Sequence, residues 1–141
     1  MYSKDVAIRM IRRWKERLFL HAWTIHVEWG DTLVAEGGEM LFGAIAMAPG
    51  RLEACLRLHS MVLQDWDELH CTVVHELTHV AVWKMKIVTK HLEPLLGQPA
   101  YEVFAATFDE QMEQTVEQIA QGMALAFPDN DLKRPRRRGR A

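Results

Sequence analysis

The stretch TVVHELTHVAVW, residues 72 to 83, constrains the fold more than any other part of the chain. Written on a helix of 3.6 residues per turn, Val73, Val74, Leu77, Val80, Ala81, Val82 and Trp83 point in nearly every direction. Such a helix has to be enclosed by the rest of its domain. Asp65 followed three residues later by Glu68 supplies a capping-box start, and Lys84 and Lys86 suit the negative C-terminal end, so the helix is expected from Asp65 to about Lys86. Within it stand His75, Glu76 and His79. An unpaired carboxylate costs several kcal/mol to bury, so Glu76 on such a helix calls for a compensating cation.

The remaining segments supply what encloses this helix. From residue 3 to about 20, Ala7, Met10, Ile11, Trp14 and Leu18 form one stripe opposite Arg9, Arg12, Arg13 and Glu16, the spacing of a surface helix. In WTIHVEWG, Trp23, Ile25, Val27 and Trp29 alternate with Thr24, His26 and Glu28, which predicts a half-buried strand. EMLFGAIAMAPG reads as a second strand, with Gly43 as a bulge and Pro49-Gly50 as the turn. RLEACLRLH reads as a third, with Leu52, Ala54, Leu56 and Leu58 on one face. A linker holding His91, Pro94, Gly97 and Pro99 leads to a last helix from about Ala100 to Ala126, ended by Phe127-Pro128, with its apolar stripe expected on Met112, Val116, Ile119, Ala120, Met123 and Phe127. The expected class is α+β: an N-terminal helix, a small, mainly antiparallel three-stranded sheet, the buried helix and a long C-terminal helix.

A chain of 141 residues, 49% hydrophobic and 26% charged, fits one globular domain, expected over residues 1–128 with a basic tail over 129–141. The tail matters for charge: Lys133 to Ala141 hold six of the 17 basic residues and no acid, leaving 11 basic against 19 acidic groups in residues 1–132. The run Lys133 to Arg140 suits a nucleic acid or another anionic partner. No apolar run nears the ~20 residues that cross a bilayer, and the N-terminus is too charged for a signal peptide, so a cytoplasmic protein without membrane contact is expected. Cys55 and Cys71 show no CxxC spacing and read as small buried hydrophobes.

His75 and His79, four residues apart on one helix face, have Cβ atoms roughly 6 Å apart and can aim both imidazoles at one point. Glu76 is offset from that line, near enough to act on a water at a bound metal. The segment His75-Glu76-Leu77-Thr78-His79, flanked by apolar residues, resembles the H-E-x-x-H motif of the zincin metallopeptidases. That resemblance implies one Zn2+ per chain and hydrolysis of a peptide or protein substrate, with Glu76 as general base on a water at the zinc. The glycine and third histidine of the metzincin pattern would fall on Val82 and Met85, which excludes that branch. The gluzincin branch takes a glutamate from a later helix, and MEQTVEQIA offers Glu113 as ligand, with Glu117 four residues on as a carboxylate steadying a ligand histidine. Asp109 and Glu102 lie on similar lines of that helix. A weaker resemblance to the SprT-like peptidases would instead take His91 as third ligand. Tyr101 or His91 are candidates to stabilise the oxyanion, and EACLRLH is the candidate edge strand for an extended substrate. The alternative function is a latent or non-catalytic zinc-binding module acting through its basic tail.

Overall fold

Helix α1 (Lys4–Arg17) begins where the Ser3 side chain accepts the Val6 N–H. Its stripe of Val6, Ala7, Met10, Ile11 and Trp14 is buried. Three strands follow, β1 (Thr24–Gly30), β2 (Gly43–Ala48) and β3 (Glu53–His59), then α2 (Trp66–Lys90), a short α3 (Glu93–Leu96) and α4 (Gln98–Ala126). This computed structural model describes residues 1–133. The α+β class is as expected.

The sheet is mixed rather than mainly antiparallel. Its order is β1-β3-β2, with β1 parallel and β2 antiparallel to β3. The reason lies in the connections. Pro49–Arg51 forms a 3-10 turn closed by Leu52 in the left-handed region at φ 54°, which folds β3 back beside β2. The segment from Asp31 to Phe42 is far longer and carries its own Val34–Met40 bridge, so β2 is not held next to β1. Burial agrees with this order. Ala54, Leu56 and Leu58 of β3 are fully shielded, whereas Ile25, Val27 and Trp29 of β1 are half-buried. The expectation that EACLRLH is an edge strand is therefore overturned: β3 is paired on both sides and has no free edge, and the edges belong to β1 and β2.

Helix α2 contacts α1, β2 and α4. The Asp65 side chain accepts the Glu68 N–H at 2.9 Å, which caps it as expected, while the Glu68 carboxylate turns forward to Thr72 instead of back to the cap. Leu69, Val73, Val74, Leu77 and Val80 are fully buried. The helix then runs one turn beyond Lys86, to Lys90, and leaves the core: Ala81 is exposed and Val82 and Trp83 are half-buried. Helix α4 starts two residues earlier than expected, at Gln98 with Pro99 in its first turn. Met112, Val116, Ala120 and Ala124 form its buried seam against α2. Ile119 and Phe127, expected on that seam, are exposed.

Residues 129–133, expected in the tail, pack on the rest of the chain. Asp129, at φ 48°, turns the chain back, and Asn130–Lys133 forms a 3-10 helix against α1 with Leu132 buried. The Lys133 ammonium lies over the Trp66 ring at 5.1 Å. The rest of the expected tail, Arg134 to Ala141, and with it most of the proposed anionic contact surface, lies outside the described residues. Cys55 and Cys71 are unpaired and half-buried rather than fully buried. No described helix is long and apolar enough to cross a membrane.

Candidate metal centre

His75 and His79 leave α2 one turn apart with their ring centroids 4.9 Å from each other and their Nε2 atoms 3.1 Å apart. The third member comes from α4. The four-residue spacing of Met112, Val116 and Ala120 sets that helix against α2, and Glu113 and Glu117, each following a seam residue, flank the contact on the side of the two histidines. Glu113 Oε1 is 2.8 Å from His75 Nε2, and its Oε2 is 3.2 Å from His79 Nε2. The set His75, His79 and Glu113 thus offers three ligand atoms within 4.8 Å of one another.

Glu117 orients this set. Its Oε2 lies 2.7 Å from His75 Nδ1, which donates its N–H there, and its Oε1 accepts from Gln121 at 2.6 Å. With a proton held at Nδ1 by Glu117, the His75 ring is oriented to offer Nε2 to the shared point. Burial pushes His79 below the usual imidazole range against the pull of Glu113, which favours the neutral ring that a metal needs. Two imidazole nitrogens and a carboxylate therefore converge as electron-pair donors. Zinc ligand bonds of about 2.0–2.1 Å at tetrahedral angles put neighbouring donor atoms about 3.3 Å apart, close to the separations found here. The donor set and its spacing fit Zn2+. Among the described residues these glutamates pair with no lysine or arginine.

Glu76 follows His75 on α2, shares a cavity wall with it and borders the start of β2. It is only 9% exposed, and burial, reinforced by Glu113 and opposed by His75, pushes its carboxyl up to about 7. Gly43 makes that position available. A Cβ at Gly43 would sit 2.6 Å from Thr72 Cγ2 and 3.2 Å from Glu76 Cγ, so only glycine lets β2 begin against this face of α2. The sequence signal was visible, a lone glycine inside a strand pattern, but it reads equally as a bulge or as a close approach. Here it is the close approach.

The structure brings together His75, Glu76, His79, Glu113 and Glu117 and leaves the other candidates elsewhere. His91 is the C-cap of α2, twelve residues beyond His79, or about 18 Å along a helix axis. Tyr101 lies the same distance before Glu113 on α4, so neither residue is placed to contact an oxyanion at the centre. Asp109 meets Lys86 at 3.6 Å, and Glu102 accepts from Gln98. Among known proteins, no family model, no curated sequence and no solved structure matches this chain.

Proposed function

We propose that the chain is a zinc-dependent metallopeptidase of zincin type, nearest in its ligand pattern to the gluzincins, with His75, His79 and Glu113 as ligands and Glu76 as the proton-transfer group. The observation that carries the reading is the placement of Glu113. A carboxylate from a helix 34 positions further along the chain meets both motif histidines at 2.8 and 3.2 Å, and its neighbour Glu117 holds the free side of His75. Neither contact serves the packing of α4, whose seam is apolar.

Zinc in such a site supplies a Lewis acid that polarises a peptide carbonyl and makes water nucleophilic near neutral pH. The chain's own residues do the rest. Glu76 accepts the proton of the attacking water on its carboxylate and passes it to the nitrogen of the leaving amine. Glu117 keeps the His75 ring in the tautomer and orientation the site requires. The unpaired side of β2 offers backbone N–H and C=O groups to an extended peptide, taking the place that the sequence had suggested for β3. Gly43 brings that strand close to Glu76.

The test combines metal content with hydrolysis of an unfolded protein substrate. The purified protein is expected to hold one zinc per chain, Glu113→Ala to lose it, and Glu76→Gln to keep it while cleavage falls about a thousandfold. A wild-type protein that binds no zinc, or a Glu76→Gln protein that still cleaves, overturns the proposal. Zinc retained without cleavage by wild type identifies the non-catalytic module instead.

A further inference from the structure

A cavity of about 290 Å3 opens beside Glu76 and is bordered at one end by His75, so it adjoins the candidate metal centre. One wall is the face of α2 that carries Glu68, Cys71 and Thr72, a second is Glu117 of α4, and the third is the apolar run Met40 to Phe42 that leads into β2. Among the described residues no lysine or arginine lines it. Acidic groups gather on this side of α2: the Cys71 thiol is pushed up first by burial and then by Glu117, Glu68, Asp67 and Asp65. Two of the lining acids have capacity to spare. Glu68 accepts only a long 3.4 Å contact from Thr72 Oγ1, through Oε1, which leaves Oε2 open among the described residues. Glu76, only 9% exposed, lines the same cavity and has no hydrogen-bond partner among the described residues.

We propose that this cavity is a specificity pocket for a long basic side chain, lysine or arginine, on the peptide held at the centre; as a substrate subsite it rests on the peptidase reading above. Its shape and charge divide the task. The apolar run Met40 to Phe42 packs on the aliphatic stem, and the Glu68 carboxylate takes the cationic head. Length decides against shorter side chains. Glu68 lies just over two turns, about 12 Å, before Glu76 along α2, a gap that the five-atom chain of lysine or the longer one of arginine closes together with the Glu68 side chain and that a short polar side chain does not. An acidic substrate side chain would face three carboxylates. Glu117 already serves His75 and Gln121, so Glu68 is the acid that discriminates.

Binding and cleavage are measured separately so that the pocket and the reaction stand or fall independently. Zinc-loaded Glu76→Gln protein is titrated by fluorescence anisotropy into labelled peptides identical except for one lysine, norleucine or glutamate, moved in turn through each position. At one position lysine is expected to bind about tenfold tighter than norleucine, with glutamate weakest. Adding Glu68→Gln is expected to remove that advantage and leave the norleucine peptide within about twofold, a change worth about 1.4 kcal/mol for a tenfold effect. Equal binding of lysine and norleucine, a lysine preference at every position alike, or a Glu68→Gln loss shared by both peptides overturns the pocket. Cleavage by the wild-type protein is read by mass spectrometry on the same peptides; its absence alongside intact lysine selectivity would remove the peptidase reading and leave the cation pocket.

Discussion

Helix α2 carries two histidine-carboxylate clusters five residues apart, and they are built on opposite principles. Around His70 every charge is answered. Asp129 Oδ1 accepts from Arg13 at 2.9 Å and Arg17 at 2.8 Å, its Oδ2 accepts from Arg17 at 2.7 Å, and Arg13 also clamps Asp131 through both of its oxygens. His70 Nε2 accepts the Trp14 indole N–H, and burial holds the ring below the usual imidazole range, so it is neutral and its 3.2 Å contact with Asp129 is not an ion pair. Two arginines thus answer two aspartates, and Arg17 also lies over the Trp14 and Phe127 rings. Around His75 and His79 the acids find no lysine or arginine among the described residues, and the imidazole nitrogens point at each other. A closed polar cluster anchors the chain end; an acceptor-rich one is incomplete without a cation.

The sharpest way to break this contrast is a crossed pair of substitutions. Asp129→Ala strands the Arg17 guanidinium, about a third exposed, leaves Arg13 with Asp131 alone, and is expected to cost about 3 kcal/mol of folding stability while zinc content stays at one per chain. Glu113→Ala is expected to abolish zinc binding and to change the stability of the metal-free protein by less than about 0.5 kcal/mol, since its side chain is 57% exposed. Denaturant unfolding of chelator-treated protein and elemental analysis read the two effects. Comparable stability losses from both substitutions would erase the distinction.

Glu117 refines the comparison, because it is half-exposed and yet tied to His75. Glu117→Gln is expected to weaken zinc binding 10- to 100-fold through loss of a charged partner for the Nδ1–H, read by competition with a chromophoric chelator. An unchanged affinity would make the 2.7 Å contact incidental. Gly43→Ala comes next. The added methyl meets Thr72 Cγ2 and is expected to cost about 1 kcal/mol, to displace Glu76 and lower cleavage, and to leave zinc bound. Full activity in that variant would show that β2 has room to move.

Much of this was legible in the sequence because it depends on local periodicity. The apolar surround of His75 and His79 marked a buried helix, and Met112, Val116 and Ala120 marked the face of α4 that meets it. Spacing also placed Glu113 and Glu117 beside that face, but the same helical lines carried Asp109 and Glu102, and only the crossing of α4 over α2 separates them. The parallel pairing of β1 and β3 was not legible, since alternation fixes a strand's faces and not its neighbours. Nor was Asp129: an aspartate after Phe127-Pro128 has the look of a tail, and its partners Arg13 and Arg17 are more than 110 residues away.

Acid provides the mildest probe of the closed cluster. Burial alone would raise the Asp129 carboxyl, but the hydrogen bonds from Arg17 and Arg13 outweigh it and hold the group below the usual carboxylate range. A carboxyl whose folded pKa is depressed stabilises the fold fully above its unfolded value, near 3.9, and loses that contribution as pH falls through the lower folded value. Metal-free wild type and Asp129→Asn share every other titrating group, including His70 and Asp131, so their difference in stability isolates this one. The gap is expected to be constant from about pH 7 to pH 5 and to narrow below about pH 4, as the wild-type carboxyl takes up a proton and comes to resemble the amide. A gap that persists unchanged well below pH 4 would mean that shape, and not the ion pairs with Arg13 and Arg17, makes Asp129 an anchor.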